Sequence, residues 1–413
     1  MAEAEVQKKI PTVECFVQFQ PSGRRGRVIT GSTLLEASLE LGADIESLCG
    51  GKQKCLKCKV ILEKGIENVS PPQTAELKLL KEKELQANYR LACATRIFGN
   101  VLVYVPEESR RIKQIVRKAA REIFIKVNPF VKKYYVELPI PKLDDPLGDF
   151  ERLLNSLENE YGLKDLHVDY QVLKMLPDVL RKGEWKITVT VLDYKEIIYV
   201  EPGKVKETYG LAVDIGTTTV VGYLTNLKTG EVVAVDSMMN PQVSYGEDVM
   251  ARITYAMQNS DGLDKLNKRI IDGLNSIIIK STEIASITPN DISEITIVGN
   301  TCMHHLFLKL NPKYLGLAPF TPVLHKIYNV KARDLGLIIP PSANVCVLPV
   351  EAGFVGADNV GVLLVTEPWK KTELQLILDI GTNTEIVLGN KEKGLISCSC
   401  ASGPAFEGAA IEF

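Results

Sequence analysis

The chain of 413 residues is too long for a single compact core, so its length predicts two to four domains. Its composition, 45% hydrophobic and 24% charged, is typical of a globular protein in water, and a net charge of −2 excludes a global basic field for nucleic acid or anionic lipid. No apolar run approaches the roughly 20 residues of a membrane span, and the odd number of cysteines argues against a secreted disulfide framework. These features predict a cytoplasmic protein without a membrane or nucleic-acid partner.

The first domain is predicted at residues 12–106, where short strand patterns alternate with short helical patterns. One helical pattern stops at Gly42, and glycine commonly ends helices. Strands are predicted at 13–19, 27–30, 59–63 and 101–105, and helices at 33–42 and 73–80. This mixture predicts a small domain that contains both helices and a sheet.

A basic amphipathic helix is predicted at 107–124, followed by a second small domain at 125–205. The helix places Ile112, Ile115 and Val116 on one face and carries six Lys or Arg residues on the others. Such a helix could dock an acidic partner, but charged faces usually meet water, so we interpret it as a linker helix. The domain at 125–205 has a β-α-α-β-β pattern without obvious chemistry, which predicts a spacing or docking role.

The remaining part, residues 207–413, begins with a β-β-β-α pattern at Tyr209, and a β-β-β pattern starts again at 375–399. Between the two lie a helical stretch to about residue 286, a strand, EITIVGN, and a helix near 300–308. A Pro-rich region at 311–342 is predicted to be irregular. The repeated pattern indicates an internal duplication.

Four cysteines have the spacing of an iron–sulfur site. They are Cys49, Cys55, Cys58 and Cys93. A [2Fe–2S] cluster needs four thiolates, and plant-type ferredoxins place three in one tight loop with a distant fourth. Gly50 and Gly51 would let the loop backbone fold around the cluster. Zinc usually takes two closely spaced ligand pairs, and a redox dithiol at Cys55 and Cys58 would need a strand–turn–helix unit, so the pattern favours iron–sulfur.

With the Cys-Gly-Gly turn, these cysteines resemble the adrenodoxin-like branch of the [2Fe–2S] ferredoxins over about residues 12–106. The resemblance implies a β-grasp fold and a one-electron, low-potential carrier. Five further cysteines lack a metal pattern, and we expect them to be buried structural thiols, with Cys398 and Cys400 as a minor redox candidate. These five are Cys15, Cys302, Cys346, Cys398 and Cys400.

Two nearly identical segments, VDIGTTT at 213–219 and LDIGTNT at 378–384, follow apolar strands. Each places an aspartate, Asp214 or Asp379, where it could hold a hydrated Mg²⁺. The glycine, hydroxyl and amide groups that follow could approach phosphate closely. The predicted phosphate-binding residues are Gly216, Thr217, Thr218, Thr219, Gly381, Thr382, Asn383 and Thr384. The sequence has no G-x-x-x-x-G-K-[ST] motif, so this is not a P-loop.

The duplicated segments resemble the actin, Hsp70 and sugar-kinase (ASKHA) ATPase superfamily, in which phosphate lies between two closing lobes. That resemblance implies ATP with Mg²⁺ as the ligand, with Asp214 and Asp379 facing the metal and phosphates. It also makes Glu385 a candidate for positioning the attacking water. A strand carboxylate that faces solvent is the alternative interpretation of Glu385.

Further segments of the chain are similar to the reductive activators of corrinoid proteins, the RACo-type proteins. They are NPQVSYGEDVMARI (240–253), VGNTCMHHLFLKLNP (298–312), GFVGADNVGVLL (353–364) and ASGPAFEG (401–408). The resemblance runs from about residue 12 to the last residue. It implies ATP-driven transfer of one electron from a [2Fe–2S] cluster to an inactive Co(II) corrinoid protein of a methyltransferase system, which restores Co(I).

The same resemblance is consistent with a homodimer and does not identify the upstream electron donor. His304 and His305 belong to the matching motif, but neighbours on a helix cannot face one site together, so we expect each to pack or cap. The predicted fold class is α+β multidomain, with a β-grasp ferredoxin, a small α+β middle domain and an actin-like α/β ATPase domain.

Because the sequence stops at Phe413, just after the second segment, we expect an incomplete second lobe and weak ATP binding by these 413 residues. Three other functions stay open at this stage. They are a ferredoxin carrier with a degenerate, non-hydrolysing actin-like scaffold, a small-molecule kinase fused to a redox sensor, and an activator of a radical or dehydratase enzyme. The intact Asp-Gly-Thr sets in both segments favour the ATP-dependent activator.

Overall fold

The computed structural model describes residues 14–43, 45–47, 51, 53–106, 109, 126–381 and 383–402. The chain divides into two compact units. One comprises Met1–Gln114 with Gln242–Tyr255, and the other comprises Ile115–Pro241 with Ala256–Phe413. The predicted linker helix at 107–124 lies almost entirely outside the described residues. Among the described helices, none is both long and apolar enough to cross a membrane.

The N-terminal unit contains a mixed sheet with the strand order β2-β1-β5-β3-β4, in which β1 and β5 run parallel. Its elements are β1 (Glu14–Gln20), β2 (Arg25–Ile29), α1 (Leu34–Leu41), β3 (Lys59–Lys64), α2 (Thr74–Leu79), α3 (Glu82–Gln86), β4 (Tyr89–Leu91) and β5 (Val101–Tyr104). Alternate residues of β1, including Val17 and Phe19, point into the core with Leu34 of α1. This is the expected β-grasp arrangement.

Local sequence signals explain where α1 begins and ends. The Thr33 hydroxyl accepts the N–H of Glu36, and the Glu36 carboxylate accepts the N–H of Thr33, which is a capping box. Gly42 ends the helix in the left-handed region, with φ of 71°. The predicted helix end at Gly42 is therefore confirmed.

The next region forms a sheet with the order β6-β8-β9-β7, and its two helices share an apolar core with the sheet. Its elements are β6 (Val131–Glu137), α4 (Asp149–Tyr161), β7 (His167–Val168), α5 (Tyr170–Lys182), β8 (Lys186–Leu192) and β9 (Glu196–Pro202). The predicted β-α-α-β-β order missed β7. That strand has only two residues, which is too short for a periodic sequence pattern, and it is a strand because it pairs with β9.

The following lobe is built on a sheet with the order β12-β11-β10-β13-β15-β14. Its strands are β10 (Tyr209–Ile215), β11 (Thr219–Asn226), β12 (Val232–Met239), β13 (Ile292–Gly299), β14 (Tyr328–Lys331) and β15 (Asn344–Val347). The helices along this stretch of chain are α6 (Val249–Gln258), α7 (Gly262–Ala285), α8 (Thr301–Phe307), α9 (Ala332–Leu335) and α10 (Ala357–Thr366). The region predicted to be irregular at 311–342 contains β14 and α9, so that prediction was partly wrong.

The central strands β10, β13 and β15 are parallel. Their carboxyl ends therefore meet at one edge of the sheet, which is where ligands bind in open α/β sheets. The turn after β10, the start of α8 and the loop after β15 are brought to this edge.

Two ion pairs join the lobe to the preceding small domain. Nη1 of Arg333 donates to both carboxylate oxygens of Asp169, at 3.0 and 2.8 Å. Nζ of Lys331 lies 2.9 Å from Oε2 of Glu196. Asp169 is buried and also caps α5 through the N–H of Gln171, so this contact has little freedom to move.

The second copy of the three-strand pattern forms a sheet of β16 (Gln375–Ile380), β17 (Asn383–Asn390) and β18 (Gly394–Ala401). Both strand pairs are antiparallel. One face carries exposed apolar side chains at Leu376, Leu378, Ile380, Leu388 and Ile396. The other face carries Asp379 and Glu385, directly opposite each other. The predicted fold class is confirmed.

Candidate functional site

Two of the predicted iron ligands meet in the N-terminal unit. Cys58 immediately precedes β3 and Cys93 follows β4, and their sulfur atoms lie 3.3 Å apart. Both side chains are buried, and the backbone N–H of Ala92 donates to the carbonyl of Cys58 at 2.9 Å, which ties the two loops together. Cys55 lies in the same loop and is half-buried. Cys49 and Gly50 lie outside the described residues.

A saturated buried ion pair fixes the strand that leads to Cys93. The carboxylate of Glu76 accepts from Nε and Nη2 of Arg90, each at 2.9 Å, and from the N–H groups of Gln73 and Leu91. Burial alone would raise the pKa of Glu76, but these hydrogen bonds hold it below its usual value. Because Leu91 lies two residues before Cys93, the network positions that thiol.

The described thiols fit an iron–sulfur group. Two thiolates on one tetrahedral metal lie roughly 3.8 Å apart when metal–sulfur bonds are about 2.3 Å, so the Cys58–Cys93 pair needs to open only slightly. In the part of the chain that the structure describes, no three His, Cys, Asp or Glu side chains are arranged to hold a metal ion. With Cys49 outside that part, the assignment of all four cysteines as ligands stays a prediction.

The first phosphate-loop segment forms a tight turn between β10 and β11. The N–H of Gly216 donates to the carbonyl of Thr219 at 2.9 Å. A Cβ at Gly216 would lie 2.7 Å from that same oxygen, so only glycine fits. The side chain of Asn240 donates to the carbonyl of Gly216, and its backbone N–H donates to Thr218, both at 2.7 Å. Asp214, near the end of β10, is exposed.

A second asparagine supports the same turn from α8. Nδ2 of Asn300 donates to the hydroxyl of Thr217 at 2.9 Å, and its Oδ1 accepts the N–H of Met303, which caps the helix. Sequence reasoning quoted the motifs that contain Asn240 and Asn300 but gave neither residue a role. The available signal was their position at the ends of predicted strands, with Asn300 as the last residue of the predicted strand EITIVGN.

The second segment forms the turn between β16 and β17. The N–H of Gly381 donates to the carbonyl of Asn383 at 3.1 Å, and Thr382 lies outside the described residues. Glu385 is only 5% exposed, and its Oε1 accepts the hydroxyl of Ser399 at 3.0 Å. The alternative interpretation of Glu385 as a solvent-facing carboxylate is therefore wrong.

Asp358 and Glu351 join Asp379 and Glu385 to form a carboxylate cluster that sequence reasoning missed. Burial raises the pKa of Glu385 to about 7, with further contributions from Asp358 and Asp379. Burial raises the pKa of Asp358 to about 6, and Asp379 and Glu351 add to this shift. Asp358 lies in segment 353–364, but nothing in that segment indicates that it meets the second sheet. Such a cluster favours the protonated form of its carboxyl groups near neutral pH.

The network around Glu351 connects the two lobes. Its Oε1 accepts Nδ2 of Asn359 at 2.7 Å, from the first turn of α10, and its Oε2 accepts the hydroxyl of Ser397 at 2.5 Å, from β18. Asn359 is fully buried, and its Oδ1 has no hydrogen-bond partner among the described residues. The loop after β15, α10 and the second sheet are thus held together by one carboxylate.

His304 and His305 are both buried. Nδ1 of His305 donates to the carbonyl of Thr301 at 2.8 Å, and its Nε2 accepts the N–H of Val323 at 3.0 Å. Burial lowers the pKa of His304 to about 4, so that ring is neutral. The two hydrogen bonds of the His305 ring join α8 to the segment that contains Val323. This agrees with the expected packing role.

The expectation of buried thiols outside the cluster loop holds for three of the five cysteines. Cys15, Cys302 and Cys346 are buried, and burial raises the pKa of Cys346 to about 11. Cys398 and Cys400 are exposed, so the expectation was wrong for them. They alternate along β18 with Ser397 and Ser399, and that alternation turns both thiols to the apolar, solvent-facing side of the sheet.

Comparison with protein-family models covers nearly the whole chain. The 2Fe-2S iron-sulfur cluster binding domain matches residues 17–97. The RACo linker region matches 120–207, the RACo middle region matches 209–371, and the C-terminal domain of RACo, the ASKHA domain, matches 373–413.

The chain is also similar to individual proteins of the same kind. The corrinoid activation enzyme RamQ of Eubacterium limosum is 34% identical over 385 residues, which is 92% of this chain and 60% of RamQ. A solved reductive activator for corrinoid, iron-sulfur protein is also 34% identical, with a TM-score of 0.65 over 97% of this chain and 65% of its own. The [Co(II) methylated amine-specific corrinoid protein] reductase of Methanosarcina barkeri is 27% identical over 49% of this chain and 38% of its own length. The chain thus spans less than two thirds of the length of each of these three relatives.

Proposed function

The chain belongs to the RACo family, and we propose that it passes one electron from a [2Fe–2S] cluster to an inactive Co(II) corrinoid protein in an ATP-dependent reaction. The product would be the Co(I) corrinoid that accepts methyl groups. The observation that carries this proposal is the combination on one chain of a paired-thiol loop in a β-grasp domain and two phosphate-type hairpins in an ASKHA domain. Few activities other than ATP-driven electron transfer need both.

In the N-terminal unit we assign the cluster to Cys49, Cys55, Cys58 and Cys93. When bound, the group supplies a one-electron carrier. The protein's own contribution is to hold the thiols: the Glu76–Arg90 pair fixes β4, and the Ala92 N–H fixes the Cys58 loop. Burial of Cys58 and Cys93 keeps water from these sulfur atoms.

In the ASKHA domain we assign phosphate contacts to the two turns and the metal to the aspartates before them. The phosphate-binding residues would be Gly216, Thr217, Thr218, Thr219, Gly381, Thr382, Asn383 and Thr384. Asp214 and Asp379 would hold a hydrated Mg²⁺. The raised pKa of Glu385 suits a group that accepts a proton from an attacking water, which is the role we propose for it.

ATP is needed because reduction of Co(II) is uphill for an ordinary donor. For one electron, each 59 mV corresponds to about 1.4 kcal/mol, so a gap of ~120 mV calls for nearly 3 kcal/mol of coupling. A ligand shifts an equilibrium only by its different affinity for two states. We propose that ATP changes the docking geometry of the acceptor, not the potential of the cluster. A cluster potential that moved on adding ATP without acceptor would contradict this.

We further propose that the partner is the corrinoid protein of a methyltransferase system and that the protein works in the reducing cytoplasm. Neither nucleic acid nor membrane lipid is a partner in this proposal, because the net charge of −2 gives no general attraction to polyanions. A homodimer is compatible with it. The physiological electron donor is not part of the proposal.

The test begins with the chain carrying its reconstituted cluster, titrated with ATP to find a saturating concentration. The cluster is reduced anaerobically, and a Co(II) corrinoid iron–sulfur protein is added while the Co(I) absorbance is followed with and without ATP. We expect Co(I) to form only with ATP and not with the Cys58→Ser variant. Equal Co(I) formation without ATP would instead indicate a ferredoxin carrier on a non-hydrolysing scaffold.

A further inference from the structure

One largely irregular segment, residues 313–328, follows α8, ends at the first residue of β14 and exposes several large apolar side chains. Six large ones are between 43% and 62% exposed: Tyr314, Leu317, Phe320, Val323, Ile327 and Tyr328. Several large apolar side chains exposed along one segment indicate an interaction surface more strongly than a single exposed side chain does. We call residues 313–328 the docking segment.

The docking segment is held in place although it contains no regular element longer than one turn. The N–H of Val323 donates to Nε2 of His305 at 3.0 Å, and Nδ1 of His325 contacts the carbonyl of Val350 at 3.2 Å. The rings of Phe320 and Phe354 meet edge to face, with centroids 5.5 Å apart. A surface that is already ordered loses little conformational entropy when a partner binds.

Backbone also approaches backbone closely here. A Cβ at Gly353 would lie 2.1 Å from the carbonyl oxygen of Phe320, so no other residue fits at that position. The docking segment is therefore seated on the loop after β15, which contains Glu351. That loop is the one whose carboxylate binds Ser397 in the second sheet.

Residues at the start of α8 contact both the docking segment and the first phosphate-type turn. His305 donates to the carbonyl of Thr301, and the Thr301 hydroxyl donates to Ala352 at 2.6 Å. The neighbouring Asn300 donates to Thr217 in the turn. A shift of the first turn on nucleotide binding would therefore be transmitted to the docking segment through this series of contacts. Titration of the acceptor with and without nucleotide measures whether the turn and the docking segment are coupled.

The charge of the docking segment indicates which kind of partner it would bind. The docking segment carries Lys313 and Lys326 and no Asp or Glu, although the chain as a whole has a net charge of −2. Two copies meeting through this same surface around a two-fold axis would bring like charges together. A partner with an apolar centre and an acidic rim complements the segment better than a second copy does.

We propose that the docking segment binds the corrinoid-carrying acceptor protein, through a surface of that protein with an apolar centre and an acidic rim. This inference rests on the proposed function, since it names the part of the molecule that receives the electron acceptor. It places acceptor binding on the same scaffold that carries both phosphate-type turns, and any change in acceptor affinity caused by nucleotide would be matched by an equal change in nucleotide affinity caused by the acceptor.

The test compares two double variants, each of which replaces two exposed apolar side chains. Leu317→Ser with Val323→Ser changes the docking segment, and Ile140→Ser with Leu143→Ser changes an exposed loop of the preceding domain. Each chain, with its cluster, is titrated with a Co(II) corrinoid iron–sulfur protein by calorimetry, with and without ATP. We expect the first variant to bind at least about tenfold more weakly and the second to bind normally.

The outcomes separate the two proposals. If the unaltered chain binds no Co(II) corrinoid protein, both the proposed function and this inference fail. If the unaltered chain binds and the Leu317/Val323 variant binds equally well, with an unchanged melting temperature, only the docking assignment fails. A dimer of the unaltered chain that dissociates in this variant would assign the surface to a second copy and overturn the inference. Lys326→Glu should weaken binding further, and most strongly at low salt.

Discussion

The two phosphate-type hairpins are almost identical in sequence but differ in pairing. In the first, Ile215 is opposite Val220, whereas in the second Ile380 is opposite Thr384, so the second turn closes one residue earlier. A change of one residue in register moves every following side chain to the other face of the sheet. Glu385 therefore lies directly across from Asp379, while a hydrophobic residue lies across from Asp214.

The side chains around the two hairpins also differ in chemistry. The first turn is held by amide groups of Asn240 and Asn300, which donate hydrogen bonds to it. The second is faced by carboxylates, with Asp358 and Glu385 both raised in pKa. The repeat thus copies a backbone turn but not its electrostatics. The first hairpin is built as a rigid cradle, and the second as a place that takes up protons.

The largest expected effect tests the rigid cradle. Asn240→Ala should destabilise the protein by about 2–3 kcal/mol, because it removes a fully buried donor to the Gly216 carbonyl. Hydrogen exchange at Gly216–Thr219, followed by mass spectrometry, should accelerate. Asn390→Ala is the control, since it removes a buried asparagine at the far end of the second hairpin, where Nδ2 donates to Thr372. Equal exchange in both variants would contradict the cradle.

A comparable effect on pH dependence tests the second hairpin. Because the folded-state pKa of Glu385 is about 7 and its ordinary value is 4.5, the folded state holds an extra proton between these values. Stability should therefore fall as pH rises through this window, by up to about 3 kcal/mol, and change little above it. Glu385→Gln should flatten this slope.

Urea unfolding from pH 4.5 to 8, without Mg²⁺ or nucleotide, measures the slope. The exposed Glu373→Gln variant is the matched control, because it removes a carboxylate from the same region outside the cluster. A Glu385→Gln slope equal to that of the unaltered chain would show that the cluster does not hold the proton.

The smallest effects concern single contributions within the cluster. Asp379→Asn should lower the pKa of Glu385, since Asp379 helps to raise it, and Ser399→Ala should raise it, since that hydroxyl stabilises the charged form. Asp214→Asn should change nothing at Glu385. Carbon-13 NMR titration of the Glu side chains measures all three. A shift caused by Asp214→Asn would mean that the two hairpins are electrostatically one site.

Much of the fold could be predicted because it depends on local patterns. Thr33 and Gly42 bound α1 through capping chemistry that involves only neighbouring residues, and the strands of both hairpins follow alternating or apolar runs. The two-residue strand β7 could not be predicted, because its partner β9 alone makes it a strand.

The two turns of the site could be predicted, because Gly and Thr residues that directly follow an apolar strand indicate a tight turn that can approach phosphate. The carboxylate cluster was not predictable. Asp358 comes near Glu385 only because α10 and the second sheet meet at Glu351, and sequence spacing carries no trace of that contact. The exposure of Cys398 and Cys400 likewise depends on which face of β18 is covered.

The contacts of Arg333 with Asp169 and of Lys331 with Glu196 affect how the chain can be recombined. The linker and middle regions match separate family models, which suggests interchangeable parts. A chimera that takes residues 126–207 from a relative would leave both basic side chains facing a foreign surface unless that surface also supplies carboxylates at positions 169 and 196. The boundary between these regions in sequence is therefore not a boundary between independently exchangeable pieces.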